Sequence, residues 1–105
     1  MIQTRTTAAA AASLPFAPGR LSAQVLNTPG LEARWYAPPN PDTQTPHDRD
    51  EIHVVVRGSG FFRRGEERVA FAAGDLLFVA AHEPHRFEDH SPDTGVWVVF
   101  GPGAP

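Results

Sequence analysis

The segment Pro46–Gly58, PHDRDEIHVVVRG, carries the strongest structural signal in the chain. Its charged first half leads into an apolar run that is rich in β-branched residues and ends at a glycine. This composition predicts a β-strand over Glu51–Arg57. Residues two apart on a strand share a face, so Glu51 and His53 are expected to point to the side opposite Ile52.

A second segment, Gly74–Phe87 (GDLLFVAAHEPHRF), places another histidine at the start of a strand. Gly and Asp open an apolar run, and Pro84 then fixes the loop just before His85. His47, Glu51 and His85 together offer two imidazoles and one carboxylate. On a rigid scaffold that leaves coordination positions open, this ligand set suits a divalent transition metal: Fe, Mn, Zn, Ni or Co.

Glu51 has two other interpretations. The run Asp48–Glu51 fits a solvated charged segment with weak local ion pairs. Glu51 nevertheless opens an apolar strand, where a carboxylate is costly to bury unless a cation pairs with it. A metal would be such a cation, and Arg49 or Arg57 is the alternative.

The first segment resembles the first motif of the cupin superfamily, specifically its small single-domain members. That motif has two histidines one residue apart, then a glutamate and a glycine, and it is matched at His47, Glu51 and Gly58. Pro39 and Thr45 depart from it, and Thr45 takes the place of the first histidine.

The second segment resembles the second cupin motif at Gly74 and His85, while Ala80, His82 and Asp89 stand at its other positions. The resemblance covers roughly residues 31–101. It implies a jelly-roll barrel with His47, Glu51 and His85 in three of the four usual ligand positions. Gln44, beside Thr45, is the candidate for the fourth if Pro46 bends the strand.

From residue 21 onward the chain consists of short apolar runs separated by turn residues, with no helical period. This predicts an all-β jelly roll or small barrel of about eight or more short antiparallel strands and excludes parallel βαβ folds. Gly58 and Gly60 are expected to form a tight hairpin turn around Ser59. The predicted strands are Leu21–Leu26, Leu31–Ala37, Glu51–Arg57, Gly60–Arg64, Arg68–Phe71, Leu76–Val79, His85–Glu88 and Val96–Phe100.

The 105 residues have room for one core, predicted over residues 21–105. Residues 1–20 form an N-terminal segment, flexible or docked on a partner, in which Thr7 could cap a short helix that Pro15 would stop. The alanine run Ala8–Ala12 is too short to span a membrane and a poor fit to a signal peptide. We therefore expect a cytoplasmic protein with no membrane partner.

The charge pattern argues against a nucleic-acid partner. The net charge is −3, and all nine basic residues are arginines spread along the chain. The one adjacent pair, Arg63 and Arg64, is answered by Glu66 and Glu67, which is typical of a solvated hairpin tip. There are no cysteines, so neither disulfides nor a thiolate zinc site can hold the fold.

Three further residues are predicted to line a substrate pocket. His53 shares a strand face with Glu51 but lies deeper, so contact with a ligand residue or with substrate is expected rather than ligation. His82 is either at the rim of the pocket or simply exposed. Phe87 should point to the same side as His85, and His90 is expected at the surface.

The outer face of the first strand predicts self-association. Ile52, Val54 and Val56 would present three apolar side chains away from the interior. A face this apolar usually needs cover from another strand or a second subunit, so a two-fold homodimer is expected.

These features predict a metal-dependent enzyme that acts on a small organic molecule, with oxygenase-type chemistry as the first hypothesis. The alternative is a non-catalytic small-molecule-binding or sensor module in which the metal is structural or absent, because this fold hosts many functions.

Overall fold

The computed structural model describes residues 4–12 and 22–102 of the chain. It contains one short helix, α1 (Thr7–Ala12), and eight β-strands. The strands are β1 (Ser22–Thr28), β2 (Leu31–Tyr36), β3 (Glu51–Arg57), β4 (Ser59–Arg64), β5 (Glu67–Ala72), β6 (Leu76–Val79), β7 (His85–Glu88) and β8 (Gly95–Phe100). All eight predicted strands are present, and β3, β6 and β7 have the predicted bounds. Leu21, where the first strand is predicted to begin, lies outside the described residues.

The strands form two antiparallel sheets, which confirms the all-β jelly-roll prediction. The five-stranded sheet has the order β1-β2-β8-β3-β6, and the three-stranded sheet has the order β5-β4-β7. Side chains of both sheets meet in one core. Its buried apolar residues are Val55, Phe62, Phe71, Val79, Phe87, Val96, Val98 and Phe100.

Strand register brings polar side chains into this interior. Glu51 lies opposite Val79 of β6 and Phe100 of β8, and His53 lies opposite Val98. Residues directly opposite in an antiparallel pair share a face. Glu51 and His53 therefore face the core, as their alternation along β3 predicts, and both are buried.

The predicted hairpin turn around Ser59 is wrong. β3 pairs with β6 and β8, whereas β4 pairs with β5 and β7, so the chain passes from one sheet to the other at Gly58. Gly58 has a φ of 95°, which favours glycine. A side chain there would also clash with Thr94. A glycine can mark either a tight turn or a place where another segment comes close to the backbone, and the sequence alone does not distinguish these two cases.

The N-terminal helix packs against β2 of the same chain and buries Ala10. The helix cap is Thr6 and not Thr7, because the hydroxyl of Thr6 accepts a hydrogen bond from the backbone N–H of Ala9 at 3.1 Å. Pro15 lies outside the described residues. No helix in the described ranges is long and apolar enough to cross a bilayer.

The prediction that His90 is a surface residue is also wrong. Its side chain is buried, Nε2 lies 3.0 Å from the carbonyl oxygen of Pro38, and the ring edge faces Phe87. The polar neighbours of His90 in sequence suggest exposure, but the contact with Pro38 joins segments that are far apart in the chain.

The outer face of the five-stranded sheet is partly uncovered. On it, Val54 lies between Leu76 of β6 and Trp97 of β8. Leu76 is 60% exposed and Phe78 is 47% exposed. The three residues predicted to face outward are half-buried: Ile52, Val54 and Val56. Because α1 packs on β2 and β6 is the strand at the opposite edge of the sheet, we propose that a second copy of the chain covers the β6 side.

Val54→Lys and Leu76→Lys are each expected to convert a dimer to a monomer, because each places a charge inside the apolar contact. Burying an apolar side chain of this size contributes about 1.5 to 3 kcal/mol. Light scattering at micromolar concentration measures the change. Leu76 is already exposed, so its variant should fold normally, and Arg68→Lys on the other sheet is the control. A wild-type monomer would contradict the proposal.

Candidate metal centre

The two predicted motifs meet at the end of the interior where β3 and β7 begin. Glu51 is the first residue of β3, His85 is the first residue of β7, and His47 lies in the loop before β3. Their candidate ligand atoms all lie within 4.8 Å of one another. Oε1 of Glu51 is 2.7 Å from Nε2 of His85, and Oε2 of Glu51 is 3.9 Å from Nε2 of His47.

The Glu51 carboxylate is buried without a hydrogen bond. Its side chain is 1% exposed, and neither oxygen has a hydrogen-bond partner among the described residues. Nε2 of His85 lies 2.7 Å from Oε1, so the two groups form an ion pair when that imidazole is protonated. The predicted alternative partners bind elsewhere, because Arg49 pairs with Glu32 and Arg57 donates to the carbonyl of Asp93. The carboxylate therefore lacks the guanidinium partner that could replace a metal.

The tautomer of His85 favours a ligand role. Nδ1 lies 2.9 Å from the carbonyl oxygen of Glu83. Because a carbonyl can only accept, Nδ1 carries the proton, and in the neutral ring Nε2 presents a lone pair toward Glu51. Two electron-rich atoms at 2.7 Å need a cation between them. Histidine ligands in metalloproteins usually donate their other N–H to such a carbonyl.

The pKa shifts describe what holds this group together without metal. Burial raises the pKa of Glu51, but the imidazoles of His53 and His85 outweigh burial and bring it to about 2. Burial lowers the pKa of His85, but Glu51 and the Glu83 carbonyl outweigh it and raise the pKa above its ordinary value. Burial lowers the pKa of His47, which keeps that ring neutral and able to bind metal. A proton on His85 is therefore the competitor of a metal ion.

Backbone contacts fix the loop that carries His47. The N–H of His82 donates to the carbonyl of His47, and the N–H of Ala81 donates to Oδ1 of Asp50 at 2.9 Å. His82 has a positive φ of 69°, an unusual value for a non-glycine residue. The loop before β3 is thus fastened to the loop before β7, and the two candidate histidine ligands are held relative to each other.

The His47 ring rests on Phe100. Their ring centroids are 5.0 Å apart in an edge-to-face contact, and the guanidinium carbon of Arg49 lies 4.4 Å from the centre of the Phe100 ring. The imidazole thus has an apolar support and remains 35% exposed. The exposed side gives a small molecule access to the centre.

The geometry agrees with comparisons to known proteins. Residues 35–101 match the family model described as the cupin domain. This chain belongs to the cupin family. The expectation drawn from the two motifs is confirmed, although Thr45 replaces a histidine of the usual set.

Individual relatives agree on the fold. An uncharacterised protein of Streptomyces coelicolor is 39% identical over 61 residues, which are 58% of this chain and 58% of that protein. The structure of TT1209 from Thermus thermophilus is similar with a TM-score of 0.72 and 21% identity, covering 96% of this chain and 98% of that one. A Ralstonia eutropha protein provisionally named a mannose-6-phosphate isomerase gives a TM-score of 0.61 and 26% identity, covering 84% and 88%.

Gln44, the candidate fourth ligand of this cupin, is held by another residue. Its amide nitrogen donates to Oδ2 of Asp42 at 2.6 Å. Asp42 is buried and also accepts from the backbone N–H of Phe87 and the hydroxyl of Tyr36. Ligation by Gln44 stays a prediction, and it would require the side chain to turn away from Asp42.

The residues predicted to contact substrate are placed unequally. His53 is fully buried beneath Glu51, with Nε2 3.7 Å from Oε1, and its ring stacks on Phe87. Phe87 belongs to the core cluster. The side chain of His82 is exposed, and its contact with the site is made by the main chain. Substrate contact by these three stays a prediction, and for His53 and Phe87 it would require the interior to open.

Sequence reasoning missed a cavity of about 240 Å³ that adjoins His47. Arg34 and Tyr36 of β2 contribute to its wall, together with Phe100 and Thr45. Alternation along β2 places Arg34 and Tyr36 on one face, but the sequence does not say that β2 lies next to β8. That neighbour relation brings the two side chains to the same cavity as His47.

Replacing His47, Glu51 or His85 with alanine is expected to weaken divalent-metal binding at least tenfold while leaving a folded domain, because each removes one ligand. Isothermal titration with Mn²⁺ and Zn²⁺ measures the effect. His82→Ala is the matched control, since it removes an exposed imidazole from the same region and keeps the backbone N–H. Unchanged affinity in two of the three ligand variants would reject the site.

Chelator is expected to lower the melting temperature of metal-loaded protein. A ligand of the folded state at a hundredfold excess over its Kd adds about 2.7 kcal/mol, which corresponds to a shift of roughly 10 to 20 °C in a domain of this size. Differential scanning fluorimetry with and without EDTA measures it. Glu51→Gln should show no such shift, and an unshifted wild type would mean that no metal is bound.

The pH dependence of stability should change sign with metal. In metal-free protein, the raised pKa of His85 means that its pair with Glu51 stabilises the fold fully below the unfolded value of 6.5 and is lost as pH rises through the folded pKa. With metal present, stability should rise over the same interval, because only the neutral imidazole binds. Melting curves at several pH values, with EDTA or with Zn²⁺, test this. Parallel pH profiles would contradict it.

Proposed function

We propose that this cupin is a metal-dependent enzyme that acts on a small organic molecule, with oxygenase-type chemistry as the first reaction class to test. The single observation that carries the proposal is the buried Glu51 carboxylate, which faces the Nε2 atoms of His47 and His85 and has no arginine partner among the described residues. Two imidazoles and one carboxylate suit a divalent transition ion and leave positions open.

The donor set fits such an ion. His85 is oriented by the Glu83 carbonyl, His47 is supported by Phe100, and Glu51 brings a charge that needs compensation. When bound there, the ion would supply Lewis acidity and, if it is iron, reactivity toward O₂.

The protein's own residues supply binding and shielding. Phe62 and Phe87 pack around the buried side of the centre through contacts with His53 and His85. This apolar floor excludes water from below, so exchange with solvent takes place on the side of His47. The cavity beside His47 has a volume of about 240 Å³. A substrate of modest size fits it.

The experiment has two stages. Metal content is measured on protein purified without chelators, and O₂ consumption is then followed for the Fe²⁺-loaded protein with a panel of small polar and aromatic compounds. Glu51→Gln, which keeps the side-chain volume and removes the charge, is the inactive control. Substrate-dependent O₂ uptake that Glu51→Gln abolishes supports the proposal.

The other outcomes separate the alternatives. Bound metal without turnover of any kind favours a non-catalytic binding module. Turnover without O₂ consumption points to isomerisation or decarboxylation. Protein that binds no metal under any loading condition overturns the proposal.

A further inference from the structure

The cavity beside His47 has a wall with one cation and no anion. Arg34 is the only arginine among the described residues that line it, and none of those residues is acidic. The remaining polar wall includes the hydroxyl groups of Ser22, Thr43 and Thr45. Arginine and hydroxyl groups donate hydrogen bonds, and arginine cannot accept them. The chemistry of the wall therefore selects a ligand that accepts hydrogen bonds and carries negative charge.

The guanidinium of Arg34 is held in place. Nε donates to the hydroxyl oxygen of Ser22 at 3.0 Å, and Nη1 donates to Oε2 of Glu32 at 2.9 Å. Nη2 has no acceptor among the described residues. The protein thus fixes Nε and Nη1 of the guanidinium, and Nη2 is left to donate to a ligand. A preformed guanidinium loses little conformational entropy when it binds a carboxylate or a phosphate.

Glu32 does not neutralise Arg34 by itself. Its carboxylate also pairs with Arg49, whose Nη2 lies 2.8 Å from Oε1, and accepts from Gln24 at 2.9 Å. Two guanidinium groups share the Glu32 carboxylate, and Arg49 has a second, exposed partner in Asp48, whose Oδ1 lies 3.9 Å from its Nε. Arg49 does not line the cavity. Its guanidinium carbon lies 4.4 Å from the centre of the Phe100 ring. Among the described residues Arg34 has no carboxylate partner except this shared one, so its charge is only partly compensated.

We propose that this cavity binds a small organic anion through Arg34, with a carboxylate as the recognised group. This deepens the proposed function, since it specifies the substrate class of the same site. The anion would accept from Nη2 of Arg34 and from the neighbouring hydroxyls, and its other end would lie toward His47.

The test uses succinate as the probe and its neutral diamide, succinamide, as the matched ligand. NMR titration of ¹⁵N-labelled protein, treated with EDTA so that metal cannot attract the carboxylate, follows the amide signals of β2 and the loop before β3. Succinate is expected to bind and to shift these signals, and succinamide is expected to bind at least about tenfold more weakly, because a hydrogen bond to a charged group contributes that much or more.

Two substitutions should act in opposite directions. Arg34→Gln should weaken succinate binding at least about tenfold, whereas Glu32→Gln should strengthen it, because Glu32 is the anion that competes for Arg34. Arg68→Gln is the control. It makes the same change in net charge on the three-stranded sheet, where Glu88 keeps Arg63 and Arg86, and it should leave succinate affinity unchanged.

If Arg34→Gln fails to fold, Arg34→Lys and Glu32→Gln decide the matter. Lysine keeps the charge without the fork and should retain only part of the affinity. Equal binding of succinate and succinamide, unchanged affinity in Arg34→Gln, or weaker binding in Glu32→Gln would each overturn the inference. Because these measurements are made without metal, they stand whether or not the protein proves to bind a metal ion.

Discussion

A buried carboxylate whose ion-pair partners among the described residues are all imidazoles is the constraint on which the centre of this molecule depends. Glu51 lies between apolar strands, and taking an ionised group out of water is expensive unless an opposite charge is near. The groups that lie beside the Glu51 carboxylate are imidazoles and not arginines. An imidazolium can lose its proton and then bind a metal ion, whereas an arginine stays protonated and would keep a metal ion out of the site. The choice of partners keeps the centre open to exchange.

Much of the architecture could be predicted because it depends on local patterns. The alternation along β3 predicts correctly that Glu51 and His53 face the interior, and turn residues on either side of β6 and β7 predict their bounds. The resemblance of the two motifs to those of cupins, together with the types of residue present, nominated His47, Glu51 and His85, which the fold brings together. Strand bounds and the buried face of a strand follow directly from short-range periodicity.

What could not be predicted depends on contacts between distant segments. The burial of His90 follows from its contact with Pro38, and the role of Gly58 follows from its closeness to Thr94. The cavity at Arg34 exists because β2 neighbours β8. None of these three contacts can be predicted from the residues next to them in the sequence. The order of strands in a sheet is set by the packing of the whole chain. Patterns in a single sequence therefore predict which face of a strand is buried more readily than which strands are adjacent.

The main-chain hydrogen bond from His82 to His47 has a kinetic consequence. It joins two loops separated by a long stretch of sequence, so the main chain of His47 cannot move away from the centre unless the loop before β7 moves as well. Local opening of such paired loops is slower and rarer than the motion of a single exposed side chain. The residence time of anything held between His47 and His85 is therefore governed by the opening of two surface loops. A mutation of Asp50, whose side chain accepts the N–H of Ala81 and is not itself a candidate ligand, would change how fast the centre is loaded and emptied.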